Sequence, residues 1–136
     1  MNQIKIIVAD DHKMIAEGIA AQLDGQEGIS VLGVITEPAL IFKMINGEKP
    51  DAVLMDIRMG EYNGIKIADE IKQAHPETKI ILMSGYNISN MAKASHADAF
   101  TSKEESISSL IQTIRKVCID HAVVFPNAVG LGVGID

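Results

Sequence analysis

Asp51-Ala52-Val53-Leu54-Met55-Asp56 is the stretch on which the reading of this chain turns. An apolar run of this kind suits a strand covered on both faces, and Asp56 stands at its end. The pair Asp10-Asp11, Ser84 and Lys103 also stand at the ends of apolar, strand-like runs. If those strands are parallel neighbours, their carboxyl ends open onto one crevice. Three carboxylates, a hydroxyl and an ammonium then converge on one spot, the mixture that a metal-dependent phosphoryl site needs.

Working outward, short apolar runs alternate with segments of helical period five times along the chain, the pattern of βα units on a parallel sheet. The expected strands are Ile4 to Ala9, Ile29 to Val34, Ala52 to Met55, Lys79 to Met83 and Ala97 to Thr101. The second and fifth are the weakest and read as edge strands. Between them, Ile15, Ile19 and Leu23 form one helical stripe and Leu40, Ile41, Met44 and Ile45 a second, with Thr36 and Pro38 suiting its start and Gly47 its end. Ile67, Ala68, Ile71 and Ala74 form a third, stopped by Pro76. Ile88 to Ser95 has little to bury. The longest stripe is Ile107, Leu110, Ile111, Ile114, Val117 and Cys118.

With 136 residues and 47% apolar content, the chain is expected to hold one domain with its own core. A net charge of -6, with no clustering of Lys and Arg, argues against direct nucleic-acid contact. The lone Cys118 and the lack of a signal-like segment before Ile4 fit a cytoplasmic, reducing location, and no run of about 18 apolar residues suggests a membrane span. From residue 121 to 136 we expect a tail or the start of a linker, because the helical period ends and Gly130, Gly132 and Gly134 alternate with Leu131, Val133 and Ile135.

At the strand ends, Asp10, Asp11 and Asp56 would repel one another unless a cation intervenes. Magnesium suits them, since it takes one or two carboxylates, a carbonyl and several waters, and leaves a place for a phosphate oxygen. Lys103 and the Ser84 hydroxyl can then meet phosphoryl oxygens, and Gly85 leaves space for the group to enter. Asp56, alone at its strand end, is the expected nucleophile, giving an acyl phosphate. His12 is expected to face solvent at a helix entry, and Cys118 to belong to the core.

These residues resemble a response-regulator receiver domain, the phosphoacceptor module of two-component signalling. The resemblance runs from about Ile4 to Cys118. It rests on Ile6-Ile7-Val8-Ala9-Asp10-Asp11-His12, on Val53-Leu54-Met55-Asp56-Ile57-Arg58-Met59 with Asn63-Gly64, on Ile80-Ile81-Leu82-Met83-Ser84-Gly85, and on Lys103. The Asp-Asp-His opening and the lack of proline after Lys103 are similar to the NarL/FixJ branch, whose members usually carry a C-terminal helix-turn-helix; no such DNA-binding domain is expected in this chain. The resemblance implies a flavodoxin-like (βα)5 fold, a doubly wound five-stranded parallel sheet with helices on both faces. It implies a Mg2+ ion on Asp11, Asp56 and the Arg58 carbonyl, assisted by Asp10, and phosphoryl transfer to Asp56 from a sensor histidine kinase. Ser84 and Lys103 would read the phosphoryl group and shift an output face formed by the last helices and strands, with Phe100 at the family's aromatic switch position swinging inward as Ser84 moves, in transcriptional regulation through a missing or separate effector. Dimerisation with a second copy is left open. Arg58 and Tyr86 would line the entrance to the site.

Three departures from the family pattern carry expectations of their own. Gly60 stands in place of a usual proline and should loosen the loop beside Asp56 by roughly 1 kcal/mol. His96 stands in place of a usual glycine, so either a left-handed residue is strained there or the helix before it ends differently. The stretch from Ser84 to Lys103 is about three residues short, close to one helical turn, so the helix within it should be short or irregular and its segment, Tyr86 to Ala97, the most mobile ordered part.

Other functions fit less well. An aspartyl phosphatase similar to haloacid-dehalogenase-like enzymes needs a second acid two residues after the nucleophile, where this chain has Arg58. A flavin carrier needs a loop rich in Ser, Thr and Gly after the first strand, where Asp10-Asp11-His12-Lys13 would repel a phosphate. The chain is therefore expected not to be an enzyme; the alternative kept is a receiver-like docking module that no longer cycles.

Overall fold

The computed structural model describes residues 3–85 and 96–124. In chain order the described elements are β1 (Ile4–Ala9), α1 (Lys13–Asp24), β2 (Ile29–Ile35), α2 (Ala39–Glu48), β3 (Ala52–Asp56), β4 (Arg58–Met59), β5 (Tyr62–Asn63), α3 (Gly64–Ala74), β6 (Lys79–Ser84), β7 (Ala99–Ser102) and α4 (Ile107–Cys118). Five strands form a parallel sheet in the order β2-β1-β3-β6-β7, while β4 and β5 form a separate antiparallel hairpin. The fold is the flavodoxin-like one expected, and the two weakest strands lie at the sheet's edges.

Strand residues alternate between two cores, because successive side chains point to opposite faces. Ile7, Ala9, Val53, Met55, Ile80 and Leu82 pack with Ile41 and Ile45 of α2 and Ile67 and Ile71 of α3. Ile6, Val8, Leu54, Ile81, Met83 and Ala99 pack with Ala16, Ala20 and Leu23 of α1 and Leu110, Ile114 and Val117 of α4. Leu54 and Ile81 are fully buried. Truncating a side chain of that kind to alanine costs about 2–5 kcal/mol, so the central strands are held hard where the site will stand.

The helical stripes need two corrections. In α1, Ile15 is 44% exposed while Ala16 and Ala20 are buried with the expected Leu23, so the buried face is shifted toward the alanines; in α2 the expected Ile41 and Ile45 are buried, and only Leu40, 46% exposed, falls off the stripe. In a doubly wound sheet a helix needs only a narrow stripe of contact, and small Ala16 lets α1 approach the strands closely. Helix α2 also runs past Gly47. It is capped by Lys49 at φ 51°, whose N–H donates to the Ile45 carbonyl, so the left-handed stop comes from a lysine.

The His96 N–H donates to Asp69 Oδ1 at 3.0 Å, and its Nδ1 lies 3.1 Å from the same oxygen. The expected short helix, Tyr86 and most of the segment expected to be mobile fall on residues 86–95, outside the described residues. After α4 the chain turns at His121 (φ 56°) and Val124 pairs in parallel with Ala99. The Phe100 N–H donates to the Val124 carbonyl and the Val124 N–H to the Asp98 carbonyl, both at 2.9 Å. The first residues of the expected tail thus cover the open edge of β7; those beyond 124 lie outside the described residues.

Candidate functional site

The chain order places the site. From β1 the chain steps outward to β2, then crosses to β3 on the other side of β1, so β1 and β3 flank the topological switch point. Asp10 and Asp11 follow the end of β1, and Asp56 is the last residue of β3. Ser84 ends β6, and the Lys103 N–H donates to the Ser84 carbonyl at 2.8 Å, extending the β6–β7 ladder by one bond. That bond fixes the stem of Lys103 over the crevice.

After Asp56 the backbone must turn sharply into α3. Asn63 caps that helix, its side chain accepting from the Ile65 N–H at 2.8 Å. A Cβ on Gly64 would collide with the Asp56 carbonyl and lie 2.8 Å from Ile57 Cα, so the Asn63-Gly64 pair is what lets α3 start directly beside the strand end.

Asp10 is fully buried, Asp56 nearly so, and Lys103 sits between them. Its Nζ lies 2.9 Å from Asp10 Oδ2 and 3.0 Å from Asp56 Oδ2. Asp10 Oδ1 accepts from the His12 N–H at 2.9 Å, and Asp56 Oδ1 from the Arg58 N–H at 3.2 Å. The Asp11 side chain is 30% exposed; its Oδ2 accepts from the Gly60 N–H at 2.8 Å and its Oδ1 lies 3.0 Å from His12 Nδ1.

These contacts pull the carboxyls apart in acidity. Burial pushes Asp10 up, but the bonds from Lys103 and His12 outweigh it, and its pKa lies below the ordinary aspartate range. At Asp56 burial wins over the bonds from Lys103 and the Arg58 N–H, the charge of Asp10 adds to it, and the pKa is raised. Burial alone would lower Lys103, but its two carboxylate partners hold its pKa up. Lys103, expected to meet a phosphoryl oxygen, here serves as counter-ion to both acids. One lysine still leaves an excess of negative charge, with like charges repelling by about 4 kcal/mol per pair at roughly 4 Å and an effective dielectric near 20.

Asp10, Asp11, His12 and Asp56 each offer an atom within 4.8 Å of the others. Three of the four donors are carboxylates, so the set fits a hard divalent cation such as magnesium. His12, expected to face solvent, is 64% exposed at its side chain yet turns Nδ1 toward both neighbouring acids. Ser84 is buried at the end of β6, the strand next to β3. Phe100 pairs with Leu82 across β6 and β7 and is buried in the core shared with α2 and α3. The Gly60 N–H is the contributor that sequence reasoning missed. Its signal was the glycine itself, which forms the turn of the β4–β5 hairpin.

Comparison with known proteins agrees with this geometry. The profile of the response regulator receiver domain matches residues 6–115. The chain is 29% identical over 123 residues to the response regulator protein VraR of Staphylococcus saprophyticus, covering 88% of this chain and 59% of that protein. It is 31% identical over 113 residues to the transcriptional regulatory protein YhcZ of Bacillus subtilis, covering 81% and 53%. It therefore spans less than two thirds of the length of these relatives. Among solved structures, the signal receiver domain of the response regulator NarL from Mycobacterium tuberculosis superposes with a TM-score of 0.80 at 22% identity, over 87% of this chain and 98% of that one. A LuxR-family DNA-binding response regulator from Staphylococcus aureus gives 0.77 at 26% identity, over 84% and 98%. No described helix is long and apolar enough to cross a membrane. With the match spanning most of the chain, the protein belongs to the response regulator receiver domain family of two-component systems.

Proposed function

We propose that this chain is a phosphorylation-controlled switch in which Asp56 accepts a phosphoryl group from a sensor histidine kinase. The observation that carries the reading is the meeting of Asp56 with Asp10 and Lys103 at the switch point, Nζ standing 3.0 Å from the Asp56 carboxylate. In the transfer, an Asp56 oxygen attacks phosphorus, the P–N bond of the phosphohistidine breaks, and its electron pair returns to the imidazole, which takes up a proton. The product is an acyl phosphate on Asp56.

Asp10, Asp11, Asp56 and the Arg58 carbonyl would hold magnesium, which supplies charge neutralisation between the incoming phosphoryl oxygens and the acids. Lys103 gives up its bond to Asp56 and follows a phosphoryl oxygen, for which its ammonium is a compact partner. Ser84 donates its hydroxyl to another phosphoryl oxygen. Ser84 ends β6 and Lys103 directly follows β7, so their regrouping moves β6 against β7 and with them Phe100, the route by which the domain's output face changes. The relative from Bacillus subtilis is a transcriptional regulatory protein; here the output is expected through protein contacts, a second copy among them, because the charge of -6 does not favour direct contact with DNA.

Incubating the chain with magnesium and a small phosphodonor tests the reading. We expect a hydroxylamine-labile phosphoryl adduct in the wild type and none in Asp56→Asn. No adduct in either would favour a docking module, and continuous phosphate release from an added phosphoester would favour an enzyme.

A further inference from the structure

The hairpin of β4 and β5 turns at Gly60-Glu61 and reaches back to the first strand's acidic pair. Gly60 has φ 62°, in the region that favours glycine, and a Cβ there would meet nothing within 4 Å, so the sign of the dihedral rather than space calls for glycine. Its N–H donates to Asp11 Oδ2 at 2.8 Å across 49 residues of chain. Lys103 pairs with Asp10 and Asp56, so Asp11, the most exposed of the three acids, takes its support from this hairpin instead. With Oδ2 held, Oδ1 lies 3.0 Å from the Nδ1 of His12, itself a member of the cluster. Proline, the residue that the family resemblance leads one to expect here, is locked near φ -65° and has no N–H, so it could provide neither the turn nor the bond.

We propose that the Gly60 N–H is a positioning group for Asp11: by fixing one carboxylate oxygen it aims the other into the cluster, and so sets how tightly the site takes magnesium. This rests on the phosphoacceptor reading above. Groups that hydrogen-bond a metal-ligating carboxylate typically change metal affinity by about 10–100-fold when removed.

The test is a magnesium titration of the full chain followed by NMR or calorimetry, comparing wild type, Gly60→Ala, and a chain with glycolic acid at position 60. The ester removes the N–H while keeping the freedom of φ. We expect the ester to weaken magnesium binding about tenfold or more, with apo thermal stability close to wild type, and Gly60→Ala, which keeps the donor, to hold most of the affinity. An ester with unchanged or tighter binding overturns the proposal, as does an alanine variant that loses as much as the ester. In the unmodified chain, the Gly60 amide should exchange with solvent more slowly once magnesium is added; faster exchange would mean that the bond breaks to admit the ion, and would overturn it too. A wild-type chain that takes up no magnesium overturns both this proposal and the phosphoacceptor reading, whereas an unchanged ester overturns this one alone.

Discussion

Two lysine–aspartate groups stand at opposite ends of the same sheet, and they are built differently. At the amino end, Lys72 Nζ lies 3.1 Å from Asp98 Oδ2 and donates at 3.0 Å to the carbonyls of Pro76 and Thr78, while the same Asp98 oxygen accepts from the Ile80 N–H at 2.9 Å. One cation meets one anion, and backbone groups take up the rest. At the carboxyl end, one lysine serves two buried acids, with Asp11 beside them. Burial of charge is common to both, so it is the imbalance that marks a site: the first group is complete, and the second calls for another cation.

The sharpest way to break this comparison is to remove each lysine. Lys103→Met should cost about 3–5 kcal/mol in urea unfolding without magnesium, because it strands two buried carboxylates. Lys72→Met should cost about 1–2 kcal/mol, since Asp98 keeps its backbone donor. Equal losses would mean that the two groups are alike. Magnesium should restore part of the Lys103→Met loss, by binding the folded state alone, and none of the Lys72→Met loss.

A smaller effect is expected on the acid side of the complete group. Asp98→Ala strips the acceptor from a buried N–H and should cost about 2 kcal/mol while leaving the phosphoryl adduct on Asp56 intact. Loss of the adduct as well would show that the two ends are coupled.

At the incomplete group the sign reverses. Because its folded pKa is raised, ionised Asp56 opposes folding, so Asp56→Asn should stabilise the magnesium-free chain by about 1 kcal/mol at neutral pH. The gain should vanish as pH falls below the unfolded carboxylate range, where the wild-type acid is neutral in both states. Asp10, whose pKa is lowered, contributes in the opposite sense: its stabilisation is present above the unfolded pKa and is lost as pH falls through the folded one. Asp10→Asn should therefore destabilise at neutral pH, and a gain there would contradict the contrast between the two acids.

The smallest effect concerns reactivity rather than stability. Cys118 lies near Asp51, Lys79 and Asp98 at the complete end, and burial pushes its thiol up from 9.0 to about 12. Its thiolate fraction at pH 8 is then roughly a thousandfold below that of a free cysteine, and alkylation in the native state should be slower in proportion. Labelling at the rate of the unfolded chain would show that this end opens readily.

The carboxyl-end group was legible in the sequence because its residues follow a rule of topology. Each stands where an apolar run ends, and parallel strands bring such ends together whatever the helices do. The runs of β1, β3 and β6 stood out because strands buried on both faces leave a continuous apolar trace, while the edge strands β2 and β7 left a weaker one. What could not be read depends on contacts that no run or period encodes. Ala16 rather than Ile15 faces the sheet because small residues let α1 come close. Lys49 rather than Gly47 ends α2 because a left-handed cap can be formed by a non-glycine residue at modest cost. Asp98 and Lys72 are 26 residues apart and announce nothing in sequence, and the bond from Gly60 to Asp11 spans 49. The position of Lys103 between two acids follows from charge balance in three dimensions, which the order of residues does not contain.

The central claim is that the unbalanced group exists to receive a phosphoryl group on Asp56. Borohydride reduces an aspartyl phosphate to homoserine, so treating the chain with magnesium and a phosphodonor, trapping with borohydride and mapping peptides by mass spectrometry reads the acceptor directly. The account predicts homoserine at position 56 and at no other. Homoserine at position 10 or 11, or at none, would contradict it.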